Sequence, residues 1–213
     1  MESSLKGLER LMALCREYGL PLREGLPVVE DWTSRELFPG QPVDPLLAAV
    51  LKRVGDARLA EVALHGFEGE YGLVATNGML RERGDAPFPS CLVFGRVPSL
   101  AYRFALVPGL ADARGLQPVV FIDDHLDKEV LPVASNLDRF FEAYARSIEH
   151  FAGGRRLGPD PWNDLDFPRF APERVAEDRP LVDLMRAGRF DGLVTQDEES
   201  QRWMRQVLAA GPG

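Results

Sequence analysis

Three histidines, two cysteines and one dense acidic loop are the residues with which this chain of 213 residues could do chemistry. The loop reads Asp123-Asp124-His125-Leu126-Asp127-Lys128-Glu129. Alternating Asp123, His125, Asp127 and Glu129 offer oxygen and imidazole donors of the kind that hold a divalent cation. No glycine occupies the turn position of a calcium loop, and no second ligand group stands elsewhere in the sequence, so no metal and no cofactor is expected. Aspartates favour turns for local reasons. The plain reading is a solvated hairpin loop. The functional reading makes Asp123, Asp124, His125, Asp127 and Glu129 contacts for a partner protein.

A Cys91–His125–Asp arrangement would supply a thiol nucleophile. Cys91, however, opens the apolar run Leu92-Val93-Phe94, and Cys15 lies on an apolar helical stripe. Both read as buried, reduced thiols. His65 closes an apolar run before Gly66, and His150 falls late in a helical pattern, where a cation suits the helix dipole. Both read as structural. The sequence has no phosphate loop, dinucleotide fingerprint, nucleophile elbow, Cys-x-x-Cys pair or His-Glu-x-x-His helix.

The elements that must position these residues follow from hydrophobic period. Leu5, Leu8, Leu11, Met12 and Cys15 recur at helical spacing, with Gly19 as the stop. Asp44-Pro45 caps a second helix that ends near Gly55. Leu59–Leu64 and Tyr71–Ala75 read as strands, the latter followed by the hairpin signal Asn77-Gly78. Residues 91–94, 102–107, 119–122 and 130–133 read as four more strands, the last two forming a hairpin. Ser135 and Asp138 resemble a capping box. It would open a helix whose wide apolar face carries Leu137, Phe140, Phe141, Tyr144 and Ile148. Residues 153–179 read as a surface excursion, and two short helical patterns close the chain. The fold class is α+β: a mixed, mostly antiparallel sheet with packed helices. A domain over 1–152 carries a partly irregular helical extension over 153–213.

Charge narrows the function classes. Twenty-five cations face 33 acids, a net charge of −8. Such a chain is repelled by nucleic acid and by anionic membranes. Residues 160–199 alone hold eleven acids against five arginines. They are the runner-up contact region to the 123–129 loop. The N-terminus has no signal-peptide pattern and no run is long enough to span a bilayer, so a cytoplasmic location is expected.

The stretch CLVFG (91–95), followed by QPVVFIDDHLDKEVLPVASNLDRFFEAYARSIEHF (117–151), resembles the C-terminal half of SUKH domains. This superfamily includes the Smi–Knr cell-wall regulators and many bacterial immunity proteins. The resemblance implies an α+β fold and a non-catalytic function: binding and neutralising a cognate protein toxin. An acidic inhibitor surface would steer toward a basic nuclease toxin. The alternatives are a small metal-dependent or thiol hydrolase using His125 and nearby carboxylates, or a regulatory scaffold domain.

Overall fold

The computed structural model describes residues 4–28, 37–98, 100–125, 128–154 and 167–211. Its centre is a seven-stranded sheet in which every strand neighbours the next in sequence. The strands are Leu22–Arg23 (β1), Arg58–Leu59 (β2), Val62–Leu64 (β3), Leu92–Arg96 (β4), Tyr102–Leu106 (β5), Val119–Asp123 (β6) and Glu129–Ala134 (β7). All six pairings are antiparallel. The fold is α+β, as the patterning predicts. The 119–133 hairpin pairs Phe121 with Leu131 and Ile122 with Val130.

Four helices belong to the region before residue 155: Lys6–Tyr18 (α1), Pro45–Val54 (α2), Leu73–Arg83 (α3) and Leu137–Gly154 (α4). Helix α4 buries Leu137, Phe140, Phe141 and Tyr144 completely or nearly so. The Phe140 ring lies 4.8 Å from Phe104 of β5 and 5.6 Å from Phe94 of β4, centroid to centroid. Offset and edge-on contacts of this kind pin the helix to the sheet. Helix α1 packs on α4. Gly7 permits the approach, since a Cβ there would collide with the Asp138 carbonyl. Arg10 then bridges Glu142 and Glu149 of α4 at 2.5 Å each.

Several local expectations are corrected. Residues 71–75 are not a strand and Asn77-Gly78 is not a hairpin turn; both fall in the loop and helix of α3. The Asn77 amide has a tertiary task. Its Oδ1 accepts the Val93 N–H at 2.7 Å, and its Nδ2 donates to the Val93 and Leu73 carbonyls at 2.8 Å. Strand β3 pairs only with Gly95 and Arg96 of β4. Asn77 therefore takes the place of the missing strand neighbour at Val93 and satisfies both of its backbone groups.

Leu59–Leu64 is two short strands rather than one, with Ala60 at φ 52° in the turn between them. The Ser135–Asp138 capping box is absent as well. Asn136 caps α4 through the Arg139 N–H, while the Asp138 carboxylate accepts the Gly7 N–H at 2.8 Å. Asp138 thus caps α1, whose own N-cap residue, Leu5, offers no side-chain acceptor.

Of the stretch 153–179, residues 155–166 lie outside the described residues, and 167–179 are not a surface excursion: Phe167, Ala171, Val175 and Ala176 are buried in the common core. Three helices follow residue 166: Pro172–Ala176 (α5), Arg179–Arg186 (α6) and Glu198–Ala210 (α7). Helices α6 and α7, with the residues just before them, guard the outer edge of β7. Pro132 has no N–H to offer there. The Val130 N–H donates to Thr195 Oγ1, which donates in turn to the Lys128 carbonyl. The Ser135 N–H donates to Asp178 at 2.7 Å. An edge so covered has little left to pair with another chain.

Candidate functional site

The loop end of the β6–β7 hairpin faces the N-terminus of α7 across a groove of about 1400 Å³. Asp123 and Glu129 come from the hairpin, Arg169 and Phe170 from the turn before α5, and Asp197 and Glu199 from the start of α7. The hairpin places Asp123 opposite Glu129 because their backbones pair directly. Like charges so placed repel. Arg169 resolves the conflict. Its guanidinium lies 2.5 Å from Asp123 and 2.7 Å from Glu129. It also donates to the Tyr102 hydroxyl at 2.6 Å and stacks over the Tyr102 and Phe121 rings, 4.9 and 5.1 Å from their centroids. Burial raises the Glu129 carboxyl above its ordinary value, against the opposing pull of Arg169.

Asp124 is fixed differently. It accepts a forked pair of bonds from Arg83 at 3.0 and 3.1 Å, and a third from Arg103 at 3.2 Å. Arg83, Arg103 and Lys128 gather over the Phe88 ring, and Lys128 pairs with Asp85. His125 is exposed; its backbone N–H donates to Asp123 at 3.1 Å. Asp127 lies outside the described residues. Three of the acids that the sequence presents as free negative charge, Asp123, Asp124 and Glu129, are therefore held by arginines from other elements.

Asp197 turns inward too: it caps α7, accepting the backbone N–H and the hydroxyl of Ser200. Glu198 and Glu199 have no ion-pair partner among the described residues; Glu199 lines the groove, and so does Arg202 of the same helix, which likewise forms no ion pair among them. Phe170 stands beside Arg169 and remains 66% exposed. Sequence reasoning missed both residues. Its only available signal was a lone Arg-Phe pair in a stretch read as surface.

The residues proposed for chemistry are not brought together. Cys91 is buried, and burial pushes its thiol up to about 12. Cys15 is buried and raised likewise. A thiol so shielded is a poor nucleophile. The His125 side chain makes no hydrogen bond among the described residues. Among those residues no group of three or more His, Cys, Asp or Glu is placed to hold a metal ion, and no helix is long and apolar enough to cross a membrane.

His65 lines a second recess, of about 750 Å³, under the glycine-rich loop 66–72. The residue is only 7% exposed. Its Nδ1 lies 2.7 Å from the Tyr71 carbonyl. A carbonyl only accepts, so Nδ1 carries the proton and Nε2 keeps a bare lone pair. Burial, joined by the Arg96 and Arg103 charges, lowers the pKa of this imidazole. The unfolded chain takes up the proton near 6.5 while the fold still refuses it. Stability from this residue is thus present above 6.5 and lost as pH falls toward the lowered folded value. Urea titrations at pH 7.5 and 5.5 are expected to show that loss, and His65→Gln is expected to flatten it. An unchanged slope in the variant would remove His65 from the account.

Comparison of the chain with family models, curated proteins and solved structures finds no match.

Proposed function

We propose that the chain is a non-catalytic protein-binding domain of SUKH type: an immunity protein that acts in the cytoplasm by seating a segment of a cognate protein toxin in the α7 groove. One observation carries the reading. Phe170 is a large exposed aromatic set beside an arginine already locked in place by two carboxylates, a hydroxyl and two rings. Exposed aromatic and pre-ordered arginine side chains are what interface hot spots are made of, because little freedom is lost when a partner covers them.

The size of the groove supports a macromolecular occupant. Small-molecule sites enclose about 300–1,000 Å³ and bury most of their ligand, whereas this one is larger and open. Glu199 and Arg202 present one charge of each sign on the α7 side of the groove, which favours a polar partner segment that answers both. The resemblance over residues 91–95 and 117–151 supplies the toxin. The hydrolase reading finds no support in a buried, raised Cys91 thiol and an unengaged His125. A scaffold role for a protein of the same cell would use the same groove.

The test is protection. In cells expressing a candidate basic nuclease toxin from which the wild-type chain protects, Phe170→Ala with Glu199→Lys is expected to abolish that protection while the melting temperature stays within about 2 °C, as befits exposed positions. Full protection by that variant would exclude the groove. Binding to a host protein instead of the toxin would favour the scaffold role.

A further inference from the structure

Helix α3 departs from the usual surface helix. Its inward residues Leu73, Thr76, Asn77 and Leu80 are buried, against β4 and the 3-10 turn at Phe88–Ser90. Its outward side is apolar as well over the first two turns, and only the last turn exposes charge, at Glu82 and Arg83. Val74 is 50% exposed and Met79 54%, with Ala75 and Gly78 between them and Tyr71, 65% exposed, just ahead of the first turn. A helical stretch apolar on both faces is normally covered on both. A Cβ added at Gly78 would meet nothing within 4 Å.

We propose that this face seats a second copy of the chain, α3 packed against α3 in antiparallel fashion about a two-fold axis. Such an interface must be self-complementary: if residue i meets residue j of the partner, j must meet i. The outward residues meet that demand about one point, midway between Thr76 and Asn77. Ala75 faces the partner's Gly78, so two small residues lie at the crossing and let the helices approach. Val74 faces the partner's Met79. Tyr71 faces the partner's Glu82.

The outer pair also matches in charge. Arg96 lies over the Tyr71 ring, 5.6 Å from its centroid, and forms no ion pair among the described residues. Glu82 is exposed and equally unpaired there. The antiparallel crossing brings each Glu82 to the other copy's Arg96, twice over. A parallel crossing would set Glu82 beside Glu82. None of these residues lines the α7 groove, so this surface stands independently of the toxin-binding reading.

Light scattering and sedimentation of the full chain, from about 1 to about 100 µM, are expected to give twice the chain mass of 23.7 kDa. Ala75→Glu puts a charge at the crossing and is expected to return the mass to 23.7 kDa with the circular dichroism unchanged. Glu82→Arg and Arg96→Glu are each expected to weaken self-association about tenfold, and the two together to restore it. A wild-type monomer throughout the range overturns the proposal. So does a dimer indifferent to Ala75→Glu, or a monomer that captures a different protein through this face. Failure of the combined charge reversal to recover overturns the antiparallel register.

Discussion

Replacing Phe140 by alanine is expected to cost about 3–5 kcal/mol, the range for a buried phenylalanine truncated in a core that cannot collapse. Five rings surround it: Phe104 at 4.8 Å, Phe141 at 5.3 Å, Phe94 at 5.6 Å, Phe167 at 6.1 Å and Tyr144 at 6.3 Å. They belong to β4, β5, α4 and the segment before α5. These elements are tied by backbone ladders or helix bonds and cannot close on the void. The loss therefore combines transfer free energy with cavity. Phe140→Leu keeps most of the volume and is expected to cost about 1–2 kcal/mol. Urea unfolding of the three proteins measures both. A Phe140→Ala loss under about 1 kcal/mol would mean that the cluster does not hold α4 to the sheet.

Arg169→Met is expected to cost about 3 kcal/mol, the scale for removing one partner of a desolvated ion pair. Asp123 and Glu129 would be left facing each other across the hairpin, their side chains only 14% and 12% exposed. The loss has a pH signature. The Glu129 carboxyl is already raised above its ordinary 4.5 by burial, and removing Arg169 raises it further. A carboxyl raised in the fold gives stability that is present below the unfolded value and lost as pH rises through the folded one. The deficit of the variant should accordingly grow from about pH 4.5 upward and shrink in acid. Adding Asp123→Asn and Glu129→Gln should recover much of it at neutral pH. A deficit independent of pH would point instead to lost packing over Tyr102 and Phe121.

Much of the fold was legible because hydrophobic period maps directly onto burial. The 119–133 hairpin follows from short apolar runs bounded by polar residues and α4 from helical spacing, and Asp44 stands where an N-cap followed by proline must. Its Oδ1 accepts the Leu46 and Leu47 N–H groups at 2.7 and 2.9 Å. Helix α3 was illegible for a physical reason. Asn77, one of its inward polar residues, serves β4 instead of a turn, and its outward face stays apolar until Glu82 and Arg83, so the first two turns lack the polar half that reveals a surface helix. The acidic loop was legible in place but not in charge. Its cations come from Arg83, Arg103 and Arg169, which lie 41, 21 and 46 residues from their partners. Ion pairs at that range leave no pattern in a linear sequence.

The cap that Asp138 places on α1 has a consequence for biosynthesis. The Gly7 N–H finds its acceptor 131 residues further along the chain, and Arg10 finds Glu149 at 139. A ribosome adding about 5–20 residues each second needs on the order of ten seconds to deliver that partner. Through that interval the stripe of Leu8, Leu11 and Met12 has no α4 to lie against. An early helix thus waits for a late one, and the nascent chain offers a chaperone an uncovered apolar stripe from the start.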